Sequence, residues 1–78
     1  MGTRRRENFV RLANSRVSRA LKQIQLVANL SNRSNYDYTE LDANEVLEAL
    51  ERELNACRQR FSSELKNKSR NPKFRLEG

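Results

Sequence analysis

Two long stretches of the chain carry apolar residues at helical spacing, and a polar stretch separates them. In the first, Val10, Ala13, Val17, Ala20, Ile24 and Val27 step by 3, 4, 3, 4 and 3 residues, which is a heptad seam on one face of a helix. Phe9, Leu21 and Ala28 flank the seam and widen it into a stripe. Neither Gly nor Pro interrupts the run, so the pattern predicts a helix over about residues 5–30, roughly 40 Å long. Residues 1–4 have no packing partners in this pattern and are expected to fray.

In the second stretch Leu47, Leu50, Leu54, Cys57 and Phe61 step by 3, 4, 3 and 4, with Val46 and Leu65 extending the stripe. Two helix starts are available. Asp42-Ala43-Asn44-Glu45 reads as a capping box, and Thr39-Glu40-Leu41-Asp42 as a looser one. The predicted helix covers about residues 42–68. Pro72 cannot continue it, and Asn71 before the proline is biased to extended geometry. Residues 69–78 are therefore expected to form a flexible basic tail.

Between the seams, residues 31–41 read Ser-Asn-Arg-Ser-Asn-Tyr-Asp-Tyr-Thr-Glu-Leu. Ser and Asn side chains compete for backbone hydrogen bonds, so this stretch ends one helix and turns the chain. The expectation is an all-α fold: an antiparallel two-helix hairpin, coiled-coil-like, over residues 1–68. Tyr36 and Tyr38 either close the bend as a lid over Leu30 and Leu41, or form a recognition surface beside Arg33. Leu12, Leu26 and Leu30 lie off the main seam. With Arg33, Tyr36 and Tyr38 they make a candidate partner-binding surface, through which the core is completed by a second copy or by another protein.

Composition adds a reason to expect that completion. Seventy-eight residues, 36% of them hydrophobic and none Trp, bury too little for a stable lone core. Charge changes the picture more. Sixteen basic residues face ten acidic ones, and twelve of the basic residues are Arg. They are segregated: residues 1–36 hold eight basic side chains and one acidic, residues 37–56 hold one and seven, and residues 57–78 hold seven and two. Folding the hairpin would set the acidic start of the second helix beside Arg16, Arg19 and Lys22. It would gather Arg4, Arg5, Arg6, Arg11, Arg58, Arg60, Lys66 and Lys68 at the open pole. Cations crowded in this way repel one another unless an anion joins them, and a polyanion turns that repulsion into affinity by phosphate contact and counterion release. The bland alternative is a solvated helix surface screened by salt.

Chemistry of other kinds is hard to place. With no histidine there is no imidazole base, triad or His-based zinc site. Cys57, the single cysteine, falls on the apolar seam and is expected to be a buried, inert thiol, and one cysteine fits a reducing compartment. No Gly-rich phosphate loop, secretory leader or membrane-length apolar run is present, so no cofactor, metal, small-molecule substrate or membrane is expected, and the chain does not read as an enzyme.

The stretch from about Phe9 to Phe61, especially Ala20-Leu21-Lys22-Gln23-Ile24 and residues 29–38, resembles small helical proteins encoded in bacteria, often on mobile elements. The resemblance covers roughly two thirds of the chain and implies a bacterial, cytoplasmic setting and an accessory or regulatory role. It carries over no site residue. Together these features predict a basic protein that binds DNA or RNA largely without reading sequence. The alternative is an adaptor, inhibitor or subunit docking on a larger protein or ribonucleoprotein.

Overall fold

The computed structural model describes the backbone of residues 2–77 and the side chains of residues 3–66. The chain is all-α, with the helix–bend–helix plan of a helical hairpin: α1 spans Gly2–Asn29 and α2 spans Glu40–Glu77.

Helix α1 begins before the predicted Arg5. The segment expected to fray is helical from Gly2, in keeping with the high helix propensity of the arginines that follow it. Its C-terminus is closed by tightening of the last turn. The N–H groups of Leu30, Ser31 and Asn32 donate to the carbonyls of Val27, Ala28 and Asn29 at 3.0, 3.0 and 3.4 Å. Such i→i−3 bonds satisfy carbonyls that an ended helix leaves without partners. Among the described residues none has positive φ, so the chain leaves α1 without the left-handed residue that ends many helices.

Asn32 then organises the turn. Its side-chain Oδ1 accepts from the Ser34 N–H at 2.9 Å, and its carbonyl accepts from Asn35 and Tyr36 N–H at 3.1 and 3.0 Å. This is the local competition that Asn-rich sequences offer against helix continuation.

Of the two available starts for α2, the chain uses the earlier. The Thr39 N–H donates to Asp42 Oδ2 at 2.9 Å, and the Asp42 N–H donates back to Thr39 Oγ1 at 3.0 Å. The Thr39 carbonyl accepts the first helical bond, from Ala43 N–H at 3.1 Å. That is a reciprocal capping box with Thr39 as N-cap and Asp42 as the third helical residue. It places Glu40 and Asp42 in the first turn, where negative charge suits the helix dipole. Tyr38 and Ala43 occupy the positions of a hydrophobic staple, and both are half-buried in a chain where most side chains are exposed.

The far end of α2 also differs from the expectation. Its backbone continues past Lys68 and Pro72 to Glu77. Proline in a helix interior removes one hydrogen bond and crowds the preceding turn, at about 3 kcal/mol. The neighbouring Lys, Arg and Leu residues are good helix formers and oppose that break. The side chains of the expected tail, and of Lys68, lie outside the described residues.

No described side chain is fully buried. The seams fall where the heptad spacing placed them, yet Val17, Leu21 and Ile24 on α1 and Leu47, Leu54 and Phe61 on α2 are all exposed. Two expectations are corrected by this. Cys57, expected to be buried, is exposed. The tyrosine lid is not formed, since Leu41 is 66% exposed and Tyr36 48% exposed. Tyr38 is partly covered, in the staple position at the start of α2.

The cap yields a measurable outcome. Thr39→Ala and Asp42→Ala should each lower the stability of the α2 start by about 1 kcal/mol, and their effects should be strongly coupled in a double-mutant cycle. Glu45→Ala, which removes the acceptor of the unused box, should stay within about 0.5 kcal/mol of wild type. Denaturant titrations followed by circular dichroism at 222 nm would distinguish the two.

Candidate nucleic-acid interface

Seven of the candidate cations have described side chains, and all seven are exposed. Four lie on α1. At about 100° per residue, Arg4 and Arg11 fall within about 20° of each other, two turns apart. Arg5 flanks them. Arg6 does not join this face: it falls on the seam side of α1, and its guanidinium carbon stands 5.9 Å from the centroid of the Phe9 ring. That cation–π contact holds the Arg6 charge over an apolar surface. Arg11 is held locally, donating from Nη2 to Asn8 Oδ1 at 3.3 Å.

The three on α2 behave differently. Arg58, Arg60 and Lys66 are separated by roughly 80–160° around the helix, so the three spread over about 200° of it. The structure therefore groups the N-terminal arginines and scatters the C-terminal ones. Three residues outside the predicted set, Arg16, Arg19 and Lys22, are also exposed and lie on α1. Lys22 falls on the same line as Arg4 and Arg11; Arg19 lies about 60–80° to one side of it, and Arg5 and Arg16 about 100–140° round, Arg16 at the edge of the seam beside Val27. The sequence carried this signal in the spacing of basic residues against the apolar seam. It was obscured because these three residues were matched to the acidic half of the second helix.

The candidate partner surface is divided as well. Leu12 and Leu26 lie on the basic side of α1 rather than beside the seam, and Leu30 lies in the turn just past it; Leu12 is half-buried, and Leu26 and Leu30 are exposed. Arg33 and Tyr36 sit in the turn built on Asn32, with the Tyr36 backbone held by the Asn32 carbonyl, and Tyr38 precedes the α2 cap. A shallow depression along α2 is lined by Glu53, Cys57, Arg60, Phe61 and Glu64 among others, all from one helix. Among the described residues no group of three His, Cys, Asp or Glu stands close enough to hold a metal ion. Nor is any helix, among the described residues, long and apolar enough to cross a membrane.

Compared with known protein families, curated proteins and solved structures, the chain matches none.

An all-exposed cation set leads to a simple expectation. Arg6→Gln removes a charge that is aimed at Phe9 and away from the Arg4–Arg11 line. It should weaken binding to any polyanion less than Arg11→Gln does, by at least twofold in a competition against heparin.

Proposed function

We propose that this is a small basic accessory or regulatory protein that binds nucleic acid through its arginine-rich segments, largely independently of sequence. One observation carries the reading. Residues 1–36 hold eight cations and a single anion, and every cation with a described side chain in that segment is exposed. Exposed Arg and Lys at this density supply phosphate contacts and release counterions, which is the sequence-independent part of nucleic-acid affinity. Arginine's planar fork suits phosphate better than a point charge does. The antiparallel folding expected from the sequence would add Arg58, Arg60 and Lys66 at the same pole. The role is one of binding, not catalysis, in a bacterial cytoplasm.

Fluorescence anisotropy of labelled duplex and single-stranded probes at two salt concentrations tests the proposal. Binding should weaken steeply with salt, with a log–log slope of about −5 to −7 on duplex for six to eight phosphate contacts. Undetectable binding at 50 mM salt would overturn it.

A second reading is favoured by the uncovered seams. Each helix exposes a run of Val, Ile, Leu and Phe that water does not favour, so the seams take an apolar helical partner: a second copy of the chain, or a larger protein or ribonucleoprotein. Burying one such side chain contributes about 1.5–3 kcal/mol. For a homodimer, nuclease-treated protein should gain helicity and thermal stability with concentration, and Ile24→Asp or Leu54→Asp should abolish that dependence. Sedimentation as a monomer at all concentrations, with helicity unchanged, would instead point to a foreign partner.

A further inference from the structure

The basic residues of α1 form a continuous line that runs well beyond the arginine cluster at its start. At about 100° per residue, Arg4, Arg11 and Lys22 fall within about 20° of one another, about 100–160° round α1 from Val10, Val17 and Ile24. Arg19 lies about 60–80° to one side of that line, and Arg5 and Arg16 lie further round on the same side. All six are exposed. The one acidic residue of α1, Glu7, falls on the other edge of the line. From Arg4 to Lys22 the line is about 27 Å long at 1.5 Å per residue. Asn8, Ser15, Leu12 and Leu26 fill the positions between the cations. Among the described residues of α2, Arg58, Arg60 and Lys66 form no such line: they spread over about 200° of the helix.

We propose that this exposed face of α1, built by Arg4, Arg5, Arg11, Arg16, Arg19 and Lys22, lies lengthwise in the major groove of duplex DNA. The inference rests on the nucleic-acid reading above and gives it a substrate class and a surface. Three physical facts support it. The B-form major groove is about 12 Å wide, which admits a helix of 10–12 Å diameter. The A-form major groove of duplex RNA is deep and narrow and does not. Arg4, Arg11 and Lys22 lie on one side of Asn8 and Ser15, and Arg19, Arg5 and Arg16 on the other, so the two sets meet the phosphates of the two groove walls while Asn8, Ser15, Leu12 and Leu26 face the groove floor. The seam of α1 stays on the opposite side, where its covering partner can pack without competing for DNA.

The test uses the full chain and two charge-matched triple variants. One carries Arg16→Gln, Arg19→Gln and Lys22→Gln, and the other carries Arg58→Gln, Arg60→Gln and Lys66→Gln. Gln matches Arg and Lys closely in helix propensity, and circular dichroism checks that helicity is kept. If the α1 triple reduces helicity, the single variant Arg19→Gln takes its place. Affinities for a labelled 20-base-pair DNA duplex are measured between 50 and 200 mM salt. The α1 triple should lose at least tenfold in affinity and flatten the salt slope by about 2 to 3, as expected for three lost phosphate contacts. The α2 triple should lose clearly less. An RNA duplex of the same sequence and the single strands should bind at least fivefold more weakly than the DNA duplex.

Equal losses in the two triples, or equal affinity for DNA and RNA duplexes, would overturn the groove placement while leaving the general nucleic-acid reading in force. Failure of the wild-type chain to bind any of the probes at 50 mM salt would remove both.

Discussion

An amphipathic helix is stable in water when its apolar stripe is covered, and that requirement governs everything in this chain. The heptad steps from Val10 to Val27 and from Leu47 to Phe61 produce one stripe on each helix. Yet no described side chain is fully buried. Helical propensity and capping alone hold a helix only marginally, because most helical stability in proteins comes from packing of such a face. The same period that concentrates apolar side chains on one side of α1 forces charge to the other, so covering the seam and presenting the arginines are consequences of one pattern.

The bend is the segment whose order comes from local bonds. Asn32 supplies a side-chain acceptor and a carbonyl to three successive N–H donors, and Thr39 and Asp42 exchange reciprocal bonds seven residues later. Each device is short-range and forms without tertiary contacts. The two ends of the turn are therefore set whatever the seams find to pack against. A polar segment with Asn at one end and Thr at the other is well suited to that job, since both side chains bond the backbone in preference to continuing a helix.

Helix number, helix class and the position of the bend were legible because they depend on period and on turn chemistry. The exact start of α2 was not. Thr39–Asp42 and Asp42–Glu45 each offer an oxygen at the cap and a carboxylate three residues on, with an apolar residue just before. The later box has the more usual Glu at its third helical position, yet the earlier one wins by adding backbone hydrogen bonds to the helix, and Tyr38 and Ala43 are partly covered. The continuation of α2 past Pro72 was missed for the opposite reason: a strong local rule was outweighed by helix-favouring neighbours. For the candidate site, charge segregation along the chain is plain in the sequence, but which cations share a face depends on direction around the helix: Arg6 turns toward Phe9, away from Arg4 and Arg11, and Lys22 falls in line with them.

The exposed thiol of Cys57 makes the chain self-reporting. It is the sole sulfhydryl in the sequence and sits within the apolar stripe of α2 between Leu54 and Phe61. Any molecule that settles on that stripe must also shade the sulfur. The rate at which an alkylating reagent labels this one atom is therefore a direct gauge of how much of the time the stripe is occupied, with no label or tag added to the protein.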